Sequence, residues 1–150
     1  MAATTPVVRR KALPSGLKLA VIDWFYTDFS AASTSEGVAA PFTLPADAVL
    51  ITLETKLVEA FTHGSITAID ASLGDGADAD AYAGAHEVLS GPPALGQKGR
   101  NFTANRPIAS ITPELTLAAT GGNLGDGTDT TLTAGRYQAV IVYDEITVDR

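Results

Sequence analysis

The residues best placed to do chemistry are acids held between glycines. Leu73 to Asp80 reads "LGDGADAD", and Leu124 to Thr131 reads "LGDGTDTT". Asp75, Asp78 and Asp80 are hard oxygen donors, and Ca²⁺ takes six to eight such ligands. The spacing is not that of an EF-hand, because the intervals differ and no glutamate closes the loop. Glycine-rich calcium repeats need tandem copies, and here the copies stand far apart. G-D-G is also good turn chemistry. Glycine reaches positive φ, and an aspartate side chain accepts hydrogen bonds from the backbone that follows it. A turn is the leading reading and a bound cation the other. Downstream, "ADAYAGAHEV" does not resemble "LTAGRYQAVI". The copies therefore read as similar loops rather than homologous halves, with a jelly roll's pseudo-symmetry as the other explanation.

The histidines are His63 and His86. Ser65 and Ser90 lie near them, but no G-x-S-x-G elbow, H-E-x-x-H or H-x-H spacing occurs, and no P-loop. Both histidines read as partly exposed polar residues. Glu54, Glu59 and Glu87 form no distinctive pattern, and the separation that a carboxylate pair needs for glycoside hydrolysis is set by the fold. The absence of cysteine excludes disulfides, thiolate zinc sites and a cysteine nucleophile, and suits a reducing cytoplasm. The chain reads as not an enzyme, with no catalytic residue, no metal and no cofactor assigned.

What remains is chemistry of contact. "DWFYTDF" gathers Trp24, Phe25, Tyr26 and Phe29. They read as a sugar-stacking platform, a subunit interface or part of a core, since Trp and Tyr concentrate at interfaces. Residues 1–16 carry Pro6, Pro14 and Gly16 around Arg9, Arg10 and Lys11. They read as an extended arm, lying on an acidic partner surface or solvated as a terminus. Partner contacts are assigned to Arg9, Arg10, Lys11, Trp24 and Tyr26.

Residues 17–150 must position these groups, and they read as a single domain. The chain has 150 residues, of which 45% are hydrophobic, enough for a core without staples. A formal net charge of −7 disfavours nucleic acid as a partner. No run approaches the roughly 18 apolar residues that would span a bilayer, so no membrane partner is expected. "MAATTPVVRRKALPSG" lacks an apolar signal core, and a secreted mature domain is not indicated.

Strands are predicted at Leu17–Phe25, Ala48–Phe61, Ser65–Leu73 and Gly135–Val148, with a short one around Val38–Leu44. Over Ala48–Phe61 a helical stripe competes with alternation, and Val49, Ile51, Thr52 and Thr55 favour the strand. Residues 106–120 predict one or two strands interrupted at Pro113. "DADAYAGAHEVL" reads as a helical turn, and "SGPPALGQKGRN" as a loop. In the last strand Tyr137, Ala139, Ile141 and Tyr143 share one face and Val140 and Val142 the other, so both faces are expected to be covered. The fold class is all-β: a β-sandwich or jelly roll of about six to eight short strands with long loops and an extended N-terminal arm.

The order of these phrases resembles small structural proteins of tailed bacteriophages, the capsid decoration (cement) and head-fibre-type family. Phe61 and Gly64, then Leu73–Gly76, Asp78, Asp80 and Tyr82, then Thr133–Tyr143 carry the likeness. It covers roughly residues 44–146. The resemblance implies a non-catalytic virion protein on the capsid exterior, made in the host cytoplasm. It would bind the major capsid protein and stabilise contacts between capsid subunits as a homotrimer. The alternative is a receptor- or carbohydrate-binding tail or fibre module, motivated by "DWFYTDF" and the aspartate loops.

Overall fold

Period-two alternation organises the chain, and it is cleanest where buried and half-buried residues succeed one another through Ala134–Asp144. In a computed structural model, residues 3–46, 48–89 and 110–145 are described, with the backbone of 97–98. The strands are β1 (Val7–Ala12), β2 (Lys18–Phe25), β3 (Ser35–Ala39), β4 (Val49–Thr62), β5 (Ala68–Gly74), β6 (Ala83–Glu87), β7 (Gln97–Lys98), β8 (Glu114–Thr120) and β9 (Ala134–Asp144). A 3₁₀ turn, Tyr26–Asp28, follows β2.

Two antiparallel sheets form a β-sandwich. One has the order β1-β2-β9-β4-β7 and the other β3-β8-β5-β6. The pairs β2–β9, β3–β8, β4–β7 and β5–β6 are all present. First thus pairs with last from β2 inward to β5–β6. A long antiparallel hairpin wrapped on itself gives this nesting, which is the jelly-roll topology. β1 is added at the edge, beside β2.

The core lies between the sheets. Ala20, Ile22 and Trp24 of β2 and Tyr137, Ala139 and Ile141 of β9 point inward, against Ile69, Ala71 and Leu73 of β5 and Leu115 and Leu117 of β8. Phe29 and Phe61 meet edge to face at 6.1 Å. Trp24 Nε1 donates to Val38 O at 2.8 Å, tying β2 to the opposite sheet.

The predicted strand at Ala48–Phe61 is β4, and Pro113 stands immediately before β8. The helical turn expected near His86 is instead β6, in register with β5 through Asp70–Glu87 and Ala71–His86. Alanine and glycine lower local strand propensity, and pairing with β5 overrides it. The outward face of β9 mixes Val140 and Val142 with Arg136, Gln138 and Asp144, and both valines are only half-buried among the described residues. The loop read over 90–101 lies outside the described residues except for the backbone of 97–98, and so do residues 106–109. No helix among the described residues is long and apolar enough to cross a membrane.

Candidate interaction surface

β1 carries Arg9, Arg10 and Lys11 as one strand of the larger sheet, opposite Val21, Ala20 and Leu19 respectively. Directly opposed residues share a face, so Arg9 and Lys11 point outward with Val21 and Leu19. Arg10 points the other way and lies over the Phe42 ring at 5.2 Å. Charged side chains on an edge strand discourage unwanted pairing there.

The outward face of β2 holds a carboxylate where apolar residues surround it. Asp23 is only 2% exposed, and cations cover it. Arg9 Nη2 donates to Oδ2 at 2.9 Å, while Arg136 Nε and Nη2 donate to Oδ1 at 3.0 and 2.9 Å. Gln138 Nε2 adds a fourth bond at 3.0 Å. Arg136 also lies over the Phe25 ring at 5.4 Å. This network locks β1, β2 and β9 together on their outer side. Asp23, Arg136 and Gln138 escape a reading by motif. Their one signal is parity, because each occupies an outward position of an apolar strand, and pairing β2 with β9 needs the fold.

Beside this network runs an apolar strip. Leu19 and Val21 of β2 stand opposite Val142 and Val140 of β9, all half-buried. Ile51, in the bulge between Leu50 and Thr52, is 46% exposed, as is Val7 on β1. Apolar strips rimmed by charge mark interaction surfaces.

Of the aromatic residues assigned to contact, Trp24 is fully buried in the core and Tyr26 is half-buried in the 3₁₀ turn. They do not join Arg9 and Lys11 on one surface. Asp28, in the same turn, accepts the Phe25 amide at 2.8 Å and the Thr4 hydroxyl. Burial pushes its carboxyl above the ordinary value, although these hydrogen bonds oppose the shift. Thr4 N–H donates to Thr27 O at 2.9 Å, so this turn also anchors the start of the chain.

Both aspartate loops close in the same way. Asp75 Oδ1 accepts the amides of Ala77 and Asp78 at 3.1 and 3.0 Å, and Asp126 Oδ1 those of Thr128 and Asp129 at 2.8 and 2.7 Å. Each aspartate's own amide donates to the carbonyl three residues on. Gly76 and Gly127 take φ of +83° and +99°, where an L side chain is strained. The hydrogen bonds hold the Asp126 carboxyl down at about 2. Asp80 shifts upward through a hydrogen bond with Asp78. One loop follows β5 beside the start of β8, and the other follows the end of β8. A seven-residue strand separates them by roughly 20 Å, so they build no joint site. Among the described residues no three His, Asp or Glu side chains come together as a metal would need.

The histidines hold structure. His63 Nδ1 accepts the amides of Ser65 and Ile66 at 3.0 and 3.1 Å, and Ser65 Oγ lies 3.3 Å away. That nitrogen staples a turn. His86 Nδ1 donates to Gly84 O at 2.9 Å, and its Nε2 meets the Tyr137 hydroxyl at 3.0 Å.

Charge is divided between the sheets. Every lysine and arginine among the described residues lies on a strand of the five-stranded sheet. The strands of the other sheet carry Glu36, Asp70, Glu87 and Glu114 and no cation.

No protein-family model and no curated protein matches the chain. Among solved structures, the fold is similar to a chain of the Cyanophage Pam1 capsid asymmetric unit. The TM-score is 0.50 at 17% identity, over 85% of this chain and 83% of that one.

Proposed function

We propose that this chain is a non-catalytic structural protein of a tailed-bacteriophage virion. It is a decoration (cement) protein that binds the outside of the head as a homotrimer and stabilises contacts between major capsid subunits. The observation that carries this reading is the jelly roll, whose likeness to a chain of a phage capsid asymmetric unit spans most of both chains. The polar groups support it. The aspartate loops and His63 hold turns, and His86 and Trp24 join the sheets, leaving the sheet faces and the basic edge strand to meet a partner. Lys11 points its charge outward and is exposed, with no ion pair among the described residues, while Arg9 is already committed to Asp23.

The alternative, a receptor- or carbohydrate-binding tail or fibre module, is less favoured because Trp24 and Phe29 of its aromatic cluster are in the core. Mass spectrometry and cryo-electron microscopy of purified virions test the decoration reading. The expected result is stoichiometric density on the head exterior. Absence from particles while the protein is abundant in infected lysate would overturn it.

A further inference from the structure

We propose that the open edge of β1 and the cleft beside it take an extended acidic segment of a partner protein. The segment adds to the five-stranded sheet as a further strand and seats a carboxylate on Arg10 and Lys11. This rests on the reading above only in that the chain docks on another protein, and not on where in a virion it does so.

Three observations carry it. First, the main chain of β1 is open. β1 ends its sheet, and Leu13 N–H donates to Leu17 O at 2.8 Å. Backbone pairing alternates along an antiparallel ladder. Counted from Leu13, the register turns the backbone groups of Val7, Arg9 and Lys11 toward β2, and those of Val8, Arg10 and Ala12 away from it. Among the described residues no backbone group pairs with that outer row. Edges of this kind accept an extended peptide. Second, a shallow cleft of about 240 Å³ lies where β1 turns into β2. Its charges are Arg10, Lys11, Lys18 and Glu145, and Leu19 and Tyr143 give it an apolar wall. Lys18 is paired with Glu145, and Asp144 also attracts it. Arg10 and Lys11 are exposed and have no ion pair among the described residues. The Phe42 ring, 5.2 Å from the Arg10 guanidinium, holds that cation in place. The volume is below the roughly 300 Å³ at which small-molecule pockets begin, and it suits a single side chain. Glu145 repels a doubly charged phosphate more than a carboxylate.

Third, charge selects the occupant. Cations on an edge strand deter a neutral or basic strand, β1 of a second copy included, and attract an acidic one. The edge strands of the other sheet, β3 and β6, do not supply the acid. Glu36 accepts the Ser30 and Ala31 amides at 2.7 and 2.8 Å. Glu87 accepts those of Ile69 and Leu89 at 3.3 and 2.7 Å. Both carboxylates are used within their own chain, so the acidic strand comes from a different protein.

A short blocked peptide of alternating Asp and Val probes the site on the full chain. In an amide NMR titration, Val8, Arg10 and Ala12 are expected to shift first. Arg10→Glu and Lys11→Glu are each expected to weaken binding at least about tenfold. Methylating alternate peptide nitrogens, which removes the ladder donors, is expected to do the same. Lys56→Glu makes the same charge change on β4 and is expected to weaken binding less than about twofold. Far-UV circular dichroism monitors folding, and exposed Lys11 keeps the test open if Arg10→Glu, which loses the Phe42 contact, unfolds. An equal loss from Lys56→Glu, equal binding of the methylated peptide, or equal affinity for a peptide of alternating Lys and Val would each overturn the proposal. Binding to purified heads is scored separately. A chain that binds the peptide but no heads overturns the decoration reading alone. Heads bound equally by wild type and Arg10→Glu, with the peptide bound by neither, overturn this site alone.

Discussion

The Tyr137 hydroxyl and His86 Nε2, on opposite sheets, lie 3.0 Å apart across the core. Gly84 O can only accept, so His86 Nδ1 carries the proton and Nε2 accepts from Tyr137. Thr55, buried on β4, hydrogen-bonds the same tyrosine oxygen. The chain of bonds bolts the sheets together. Tyr137→Phe should strand the Thr55 hydroxyl and the His86 nitrogen and cost about 1–2 kcal/mol in urea denaturation. A cost no larger than that of an exposed Tyr→Phe change would remove the bolt.

The same burial governs alkaline behaviour. Burial pushes the Tyr137 and Tyr82 hydroxyls up to about 12, with the Asp75 charge adding to the shift at Tyr82. A folded value above the ordinary 10 means that the native state holds these protons longer than the unfolded chain. Their contribution to stability is therefore complete below 10 and lost as pH rises through about 12. Ultraviolet titration of the phenolates should show two of the four tyrosines ionising near 12. Ionisation of all four near 10 would contradict the packing.

Asp23 should dominate its own network. Asp23→Ala removes the acceptor of four hydrogen bonds and should cost about 2–3 kcal/mol, below the full penalty for a buried pair because its arginine partners reach solvent. Arg9 is 61% exposed at its side chain, so Arg9→Ala should cost under about 1 kcal/mol. Chemical denaturation of both variants checks this order, and equal costs would show that the carboxylate is not the hub.

At acid pH the Asp126 loop should announce itself. Its carboxyl sits at about 2, below the ordinary 3.8. The stability that it contributes is therefore present above 3.8 and lost as pH falls through about 2. Asp126→Asn should flatten the fall in melting temperature across that window. Because Oδ1 of Asp75 and of Asp126 already accepts amide hydrogens, excess calcium and EDTA should give equal melting temperatures. A rise with calcium would revive the cation.

Glycine substitutions should separate by position. A Cβ on Gly125 would overlap the Ser30 carbonyl, and one on Gly74 the Asp78 carbonyl, whereas one on Gly84 meets nothing within 4 Å. Gly125→Ala should cost about 1–3 kcal/mol, and Gly84→Ala should be neutral or stabilise by up to about 1 kcal/mol. Thermal melts of the pair decide it.

Alternation in the sequence locates β2, β4, β5 and β9. The strand content of residues 7–12 is hidden, because "VVRRKA" is an exposed edge with little alternation to read. β6 is hidden by alanine and glycine, and only its partner β5 makes it a strand. The turn chemistry of the aspartate loops is legible because it is local. The Asp23 network is not, since its members come from β1, β2 and β9 and meet only after the chain has wrapped.

The nesting of pairs also dictates an order of events. The β5–β6 hairpin closes a short loop, whereas Lys18 finds Tyr143 only across nearly the whole chain. Closing large loops costs entropy before any contact repays it, which slows folding. β9, synthesised after the other described strands, fills the gap between β2 and β4. Until it arrives, both of those strands lack a neighbour along one edge. A nascent chain must therefore carry this open slot until β9 emerges, and that interval is when pairing with another chain is easiest.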